Sequence, residues 1–167
     1  MRMRLAGPAD ADVLTEMMLE GIATYAAFAP AGWSPPEASE TRPAIAARLG
    51  ISGTWCLLAE DAEGPAGHVA FLPAVHARPP TGDSRLAHFW MLFVRERAWG
   101  SGVAAGLHQR AVWEARRRGY SHLRLFVAAG QARARRFYAR EGWIEVTEPF
   151  DEERIGLPIL ECRMPLR

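Results

Sequence analysis

Val94-Arg-Glu-Arg-Ala-Trp-Gly-Ser-Gly-Val-Ala-Ala-Gly106 joins two segments of opposite character. Before it, Leu86–Val94 is dense in aromatic and branched residues, the composition of a buried central strand. After it, Val103, Leu107 and Val112 recur with alanines at helical spacing through about residue 118. Between strand and helix stand a charged turn and two glycines, Gly100 and Gly102. A helix starting there presents N–H groups with no partner in a preceding turn, reinforced by the partial positive charge of the helix end. Glycine allows positive φ and close approach, so a phosphate or diphosphate suits the turn. A tight turn with no ligand also uses two glycines, so the motif alone leaves both readings open.

Outward from this stretch, the chain reads as alternating elements. Residues 3–6 predict a first strand, and Pro8 and Asp10 lead into a helix to about Glu20 with Val13, Leu14, Met17 and Met18 inward. Residues 21–36 carry Tyr25, Phe28 and Trp33 among glycines and prolines, as a recognition loop does; core packing also explains Tyr25 and Phe28, and a dimer contact Trp33. Residues 37–49 predict a second helix that Pro43 threatens to break. Strands are expected at 54–59, 67–72, 120–127, 143–147 and 159–166, with turns at 60–65, 78–83 and 151–154. A short helix over 131–141 ends at Gly142. The order β-α-α-β-β-β-α-β-α-β-β describes one mixed α/β domain over residues 1–167.

Composition narrows the function. Hydrophobic residues make up 49% of the 167, enough for a substantial core. All 20 basic residues are arginine, against 19 acidic ones, and a net charge of +1 gives no general attraction to nucleic acid. The arginines at 133, 135, 136 and 140 are the best argument for such a partner, but they equally suit solvent or the phosphates of a small ligand. Cys56 and Cys162 read as buried thiols, and the five histidines make no zinc spacing, so no metal is expected. No targeting core or bilayer-length apolar run is present, and a soluble cytoplasmic protein without a membrane partner is the default expectation.

The glycine turn lacks the Gly-Lys-Ser/Thr ending of a nucleotide-triphosphatase loop and the acidic ribose position of a dinucleotide fingerprint. Arg97-Ala-Trp-Gly100-Ser-Gly102 instead resembles the Arg/Gln-x-x-Gly-x-Gly/Ala motif of the GCN5-related N-acetyltransferase superfamily. Gln131-Ala-Arg-Ala134-Arg-Arg-Phe137-Tyr138-Ala-Arg-Glu-Gly142-Trp143 resembles its Asn-x-x-Ala-x-x-Phe-Tyr-x-x-x-Gly-Phe segment, with Gln for Asn and Trp for Phe. The two motifs at this spacing say more than either alone.

That resemblance implies a central, mostly antiparallel sheet flanked by helices, with one parallel strand pair splayed open. It implies acetyl-coenzyme A as acyl donor and a primary amine as acceptor, attacking directly in a ternary complex. The turn formed by Arg97, Ala98, Trp99, Gly100, Ser101, Gly102 and Val103 would hold the diphosphate, although Arg97 is equally suited to acidic loop residues. Phe93 and Val94 would pair with the pantetheine arm and polarise the thioester carbonyl, with Gln131, Phe137 and Tyr138 beside them. Tyr138 is the expected general acid, since a phenol of pKa about 10 stays protonated as a thiolate of about 8.5 departs. For the general base the candidates are His88 and His68, each also explicable as a packed core histidine. Tyr25, Phe28, Trp33 and His76 are the expected acceptor contacts. The acceptor classes left open are a small amine or amino-acid derivative, an antibiotic amine and a peptide amino terminus. The resemblance is compatible with a homodimer. The competing reading is a coenzyme-binding sensor or structural protein that keeps the fold without turnover.

Overall fold

In the computed structural model, which describes residues 1–166, eight strands form one sheet. They are β1 (Arg2–Leu5), β2 (Trp55–Asp61), β3 (Gly64–Pro73), β4 (Leu86–Val94), β5 (His122–Ala128), β6 (Ile144–Glu145), β7 (Phe150–Glu152) and β8 (Leu157–Pro165). The order is β1-β2-β3-β4-β5-β8-β6, with β7 also on β8. Every pairing is antiparallel except that of β4 with β5. Four helices flank the sheet: α1 (Ala11–Ala23), α2 (Ala38–Leu49), α3 (Val103–Arg117) and α4 (Ala132–Arg140). The mixed α/β class and the mostly antiparallel sheet are therefore as expected. Among the described residues no helix is long and apolar enough to cross a membrane.

Each face of the sheet buries its own apolar cluster. Leu14 and Met17 of α1 and Ile45 and Leu49 of α2 pack on Cys56, Leu58, Ala70 and Met91. On the other face Val103, Leu107 and Ala111 of α3 meet Leu57, Phe71, Phe89, Leu123 and Leu125, with Ala134 and Tyr138 of α4 at the margin. Strand alternation sends successive residues to opposite faces, so β2 and β3 feed both clusters.

Two elements differ from expectation for physical reasons. Pro43 lies inside α2 and does not break it; Thr41, Ile45 and Leu49 are buried along one side, and that packing outweighs one missing backbone hydrogen bond. The region read as a charged turn at 151–154 overlaps β7, three half-exposed or exposed residues that pair with the start of β8. A three-residue strand has too little alternation to register in sequence.

The feature that positions the site is where β4 and β5 part. They pair only at Leu86–His122, Ala87–Leu123 and His88–Arg124. β5 then stays with β8 as far as Ala128–Ile159, while β4 stays with β3 as far as Val94–Gly67. Between Ala70 and Phe71 the β3–β4 register shifts, so that Met91 and Phe89 are paired and Trp90 is the extra residue of a bulge. A bulge bends its strand and increases its twist. Here it falls two residues past the last parallel pair, where the gap opens.

Candidate functional site

The backbone of β4 lines one edge of the gap. The Arg95 N–H donates to the Ala66 carbonyl at 2.9 Å, and this sets the alternation along the antiparallel pair. Phe93 therefore turns its main-chain groups toward His68 on β3, while Leu92 and Val94 turn theirs into the gap. The sequence reading assigned Phe93 and Val94 to that edge; the structure replaces Phe93 with Leu92. Phe93 contributes its ring instead, packed so closely under α1 that a Cβ at Gly21 would lie 2.4 Å from its Cδ1.

At the end of β4 the chain makes a 3-10 turn over Glu96–Ala98 and enters α3 through Gly100 and Gly102, whose φ values are +77° and +88°. Nothing lies within 4 Å of where a Cβ would stand at either glycine, so conformation and not crowding selects them. The N–H groups of Gly100, Gly102, Val103, Ala104 and Ala105 find no acceptor among the described residues. They form a set of donors at the positive end of a fifteen-residue helix. Ala98 and Val103 are buried beneath them. The Ser101 hydroxyl donates to the Ala98 carbonyl at 2.6 Å, a structural use. Arg97 is bound to Asp61 and donates to the Pro65 carbonyl at 3.0 Å, bracing the turn against the β2–β3 hairpin. The structure thus places Arg97 on the acidic loop. Trp99 lies across the mouth of the gap: its indole N–H donates to the Val94 carbonyl at 2.7 Å, and the Arg133 guanidinium from α4 sits 3.4 Å from the ring centre.

Tyr138 approaches from α4. Its ring meets Phe89 and Trp143 edge-on, at 6.5 and 5.8 Å between centroids. Its hydroxyl makes no hydrogen bond to any described residue. Burial, with smaller contributions from Tyr25 and Cys162, holds its pKa well above that of an ordinary phenol. Phe137 packs edge-on against the His108 ring at 5.9 Å. Gln131 starts α4 through its backbone, donating to the Ala128 carbonyl at 2.9 Å and accepting from the Arg135 N–H at 3.1 Å.

A cavity of about 380 Å³ opens beside the bulge on the α1 and α2 side. Its wall includes Tyr25, Arg48 from the last turn of α2, His88, Phe89, Trp90 and Phe93 from β4, Phe126 from β5, and Glu152 and Arg154. Tyr25 lines it directly, its hydroxyl pKa pushed up to about 12 by burial. Phe28 and Trp33 stand behind Tyr25, at 5.3 and 6.5 Å between rings. Phe28 covers Gly130, where a Cβ would come within 2.2 Å of the ring, and the Trp33 indole N–H donates to the Ile155 carbonyl at 2.7 Å. They fasten the loop and do not line the cavity. His76 is exposed outside it, and the neighbouring Arg78 takes its place in the wall.

Neither candidate base is suited to that role. His68 is completely buried away from the cavity, neither ring nitrogen has a partner among the described residues, and burial lowers its pKa to about 3. His88 reaches the cavity, but Arg124 Nε–H donates to its Nδ1 at 3.4 Å. Burial, then Arg124 and Arg48, brings its pKa to about 3. A neutral ring whose Nδ1 accepts must carry its proton on Nε2, so His88 offers the cavity a donor. Both histidines are thus corrected from base to structural or polar wall. His108 lies in the core, its Nε2 accepting from the Trp143 indole N–H at 2.9 Å. Among the described residues no group of His, Cys, Asp and Glu is arranged to hold a metal ion.

The sequence reading missed Arg48 and Trp90. An arginine in the last turn of a helix is accounted for by the helix dipole, and a tryptophan in a central strand by the core. Only the bulge reveals that Trp90 turns toward the cavity.

Comparison with known proteins agrees with this geometry. The family model described as Acetyltransferase (GNAT) family matches residues 21–143. No curated protein matches the chain. Among solved structures, the ribosomal-protein-alanine N-acetyltransferase of Brucella melitensis is 21% identical with a TM-score of 0.75, over 99% of this chain and 100% of that one. The GCN5-related N-acetyltransferase of Kribbella flavida is 20% identical with a TM-score of 0.72, over 99% and 97%. The Salmonella typhimurium protein yncA, solved with its cofactor acetyl-CoA, is 20% identical with a TM-score of 0.74, over 100% and 94%. At these identities the likeness speaks to the fold.

Proposed function

This chain belongs to the acetyltransferase (GNAT) family, and we propose that it transfers an acetyl group from acetyl-coenzyme A to a primary amine by direct attack in a ternary complex. One observation carries the reading: the outward main-chain groups of Leu92 and Val94 run into five unpartnered amides at the start of α3. An extended ligand with amides along its length and a diphosphate at its end fits that edge.

Acetyl-coenzyme A supplies an activated acetyl thioester. The amides of Gly100, Gly102 and Val103 to Ala105 hold its diphosphate, and the exposed edge of β4 aligns its arm. The outward N–H groups of that edge are also donors for the thioester oxygen. Trp99 must yield the Val94 carbonyl for the whole edge to be used. As the amine nitrogen bonds to the acetyl carbon, the carbon–sulfur bond breaks, Tyr138 donates its proton toward the sulfur, and the proton that the acylated nitrogen then sheds restores the phenol through water. Its raised pKa keeps the hydroxyl in the O–H form throughout the neutral range. With His88 bonded at Nδ1, the ammonium proton of the acceptor passes to water in the open cavity.

Incubation with acetyl-coenzyme A and a panel of primary amines tests the proposal. Thiol release matched by acetylated amine is the expected result. Saturable coenzyme binding with no product from any amine would make the chain a sensor.

A further inference from the structure

The cavity wall is rich in donors that lack acceptors. The Arg48 guanidinium makes no hydrogen bond or ion pair with any described residue and rests 5.2 Å from the centre of the Trp90 ring. The Trp90 indole N–H is sealed beneath the wall, with no acceptor among the described residues, and takes no part in the cavity surface. His88, bonded by Arg124 at Nδ1, adds an Nε2–H. Arg78 also lines the wall without an ion pair. Of the carboxylates there, Glu152 is engaged by Arg154 at 3.3 Å and Glu40 is exposed.

Leaving a buried donor unpaired costs about 1–3 kcal/mol, and a cation held partly out of water needs a counter-charge or a π face. The Trp90 ring supplies the π face to Arg48, but no described residue accepts from the guanidinium. A guanidinium fork left free in a cavity wall is matched by the two oxygens of one carboxylate.

We infer that the acceptor is a small amine bearing a carboxylate, of amino-acid type, with the carboxylate seated against the Arg48 guanidinium where it rests over the Trp90 ring. This rests on the transferase reading given above and deepens it. Trp90 stands two residues from Leu92 along β4, so the carboxylate seat and the gap edge adjoin the same stretch of strand. A cavity of about 380 Å³ is at the small end of ligand pockets, sized for such a molecule. Polycationic amines are disfavoured by Arg48, Arg78 and Arg154 together.

The test uses amine pairs that differ only in the anion: amino acids against their methyl esters and amides. Acetylation rates and calorimetric binding in the absence of coenzyme are both measured. The acids are expected to bind and react on the order of tenfold to a hundredfold better. Arg48→Met brings the acid-to-ester ratio close to one, Arg48→Lys restores part of it, and Trp90→Leu, which removes the ring beneath Arg48, lowers it. Thermal melting confirms that each variant folds. Equal binding of acids and esters to the wild type, or an unchanged ratio in Arg48→Met, overturns the inference. If no amine is acetylated yet amino acids bind through Arg48, the transferase reading fails and the carboxylate seat stands.

Discussion

The glycine turn before α3 and the cavity wall beside the β4 bulge both present donors, and they are built in opposite ways. The turn uses consecutive main-chain N–H groups from residues 100 to 105, held by two positive-φ glycines and a helix start. The wall collects side chains from α2, β4 and the loop before it, residues more than forty positions apart in the chain. A backbone site tolerates almost any side chain and demands a conformation. A side-chain site demands particular residues and leaves their backbone ordinary. Under the proposed function, the difference would suit a diphosphate, the same in every reaction cycle, and an acceptor read by side chains.

The largest effect is expected where the two regions meet. Tyr138→Phe keeps the ring between Phe89 and Trp143 and removes only the hydroxyl. Turnover should fall on the order of a hundredfold, with coenzyme affinity unchanged by calorimetry. An unaltered kcat would remove the acid from the mechanism.

Gly102→Val breaks the backbone site alone. A branched side chain at φ +88° costs roughly 1–3 kcal/mol. Coenzyme affinity should drop roughly tenfold to a hundredfold as the turn rearranges. Binding of the acceptor, measured without coenzyme, should hold. Loss of both would show that the two regions are not separable.

His68→Leu separates packing from chemistry. Removing two buried, unpartnered nitrogens should stabilise the fold by about 1–3 kcal/mol, raising Tm by several degrees. Turnover should be retained, since the ring does not reach the cavity. The gain has a pH signature. His68 and His88 have pKa values lowered to about 3, and His108 to about 4, from an ordinary 6.5. The unfolded chain therefore binds protons that the folded chain refuses between those limits. The histidine contribution is fully present above pH 6.5 and lost as pH falls toward 3. His68→Leu should flatten that acid loss in urea titrations, and an unchanged slope would contradict the assigned burial.

The smallest effect is expected from Ser101→Ala. Its hydroxyl is turned back to the Ala98 carbonyl, so coenzyme affinity should stay within about twofold. A larger loss would mean that a side chain shares the work of the amides.

The same contrast explains what was legible. β4 is read to the residue and α3 to within about two residues, because a buried strand and an amphipathic helix write their periods over nine and fifteen positions. Gly100 and Gly102 are readable because a strand-to-helix turn is a local event. Phe93 was assigned to the gap edge because the phase of alternation depends on which β4 residues bond to β3. A bulge at Trp90 adds one residue to that count, and no local pattern announces it. The histidines mislead for a related reason: imidazole chemistry depends on neighbours such as Arg124, thirty-six residues from His88.

Sequence alone determined the helices and the longer strands, the glycine turn and the family motifs, since each rests on residues near one another along the chain. Tertiary structure decided which backbone faces the gap, which histidine nitrogen carries a proton and which arginine is left without a partner. Those properties depend on pairing phase, burial and long-range neighbours, and the chain acquires them only when β4, β5 and α2 come together.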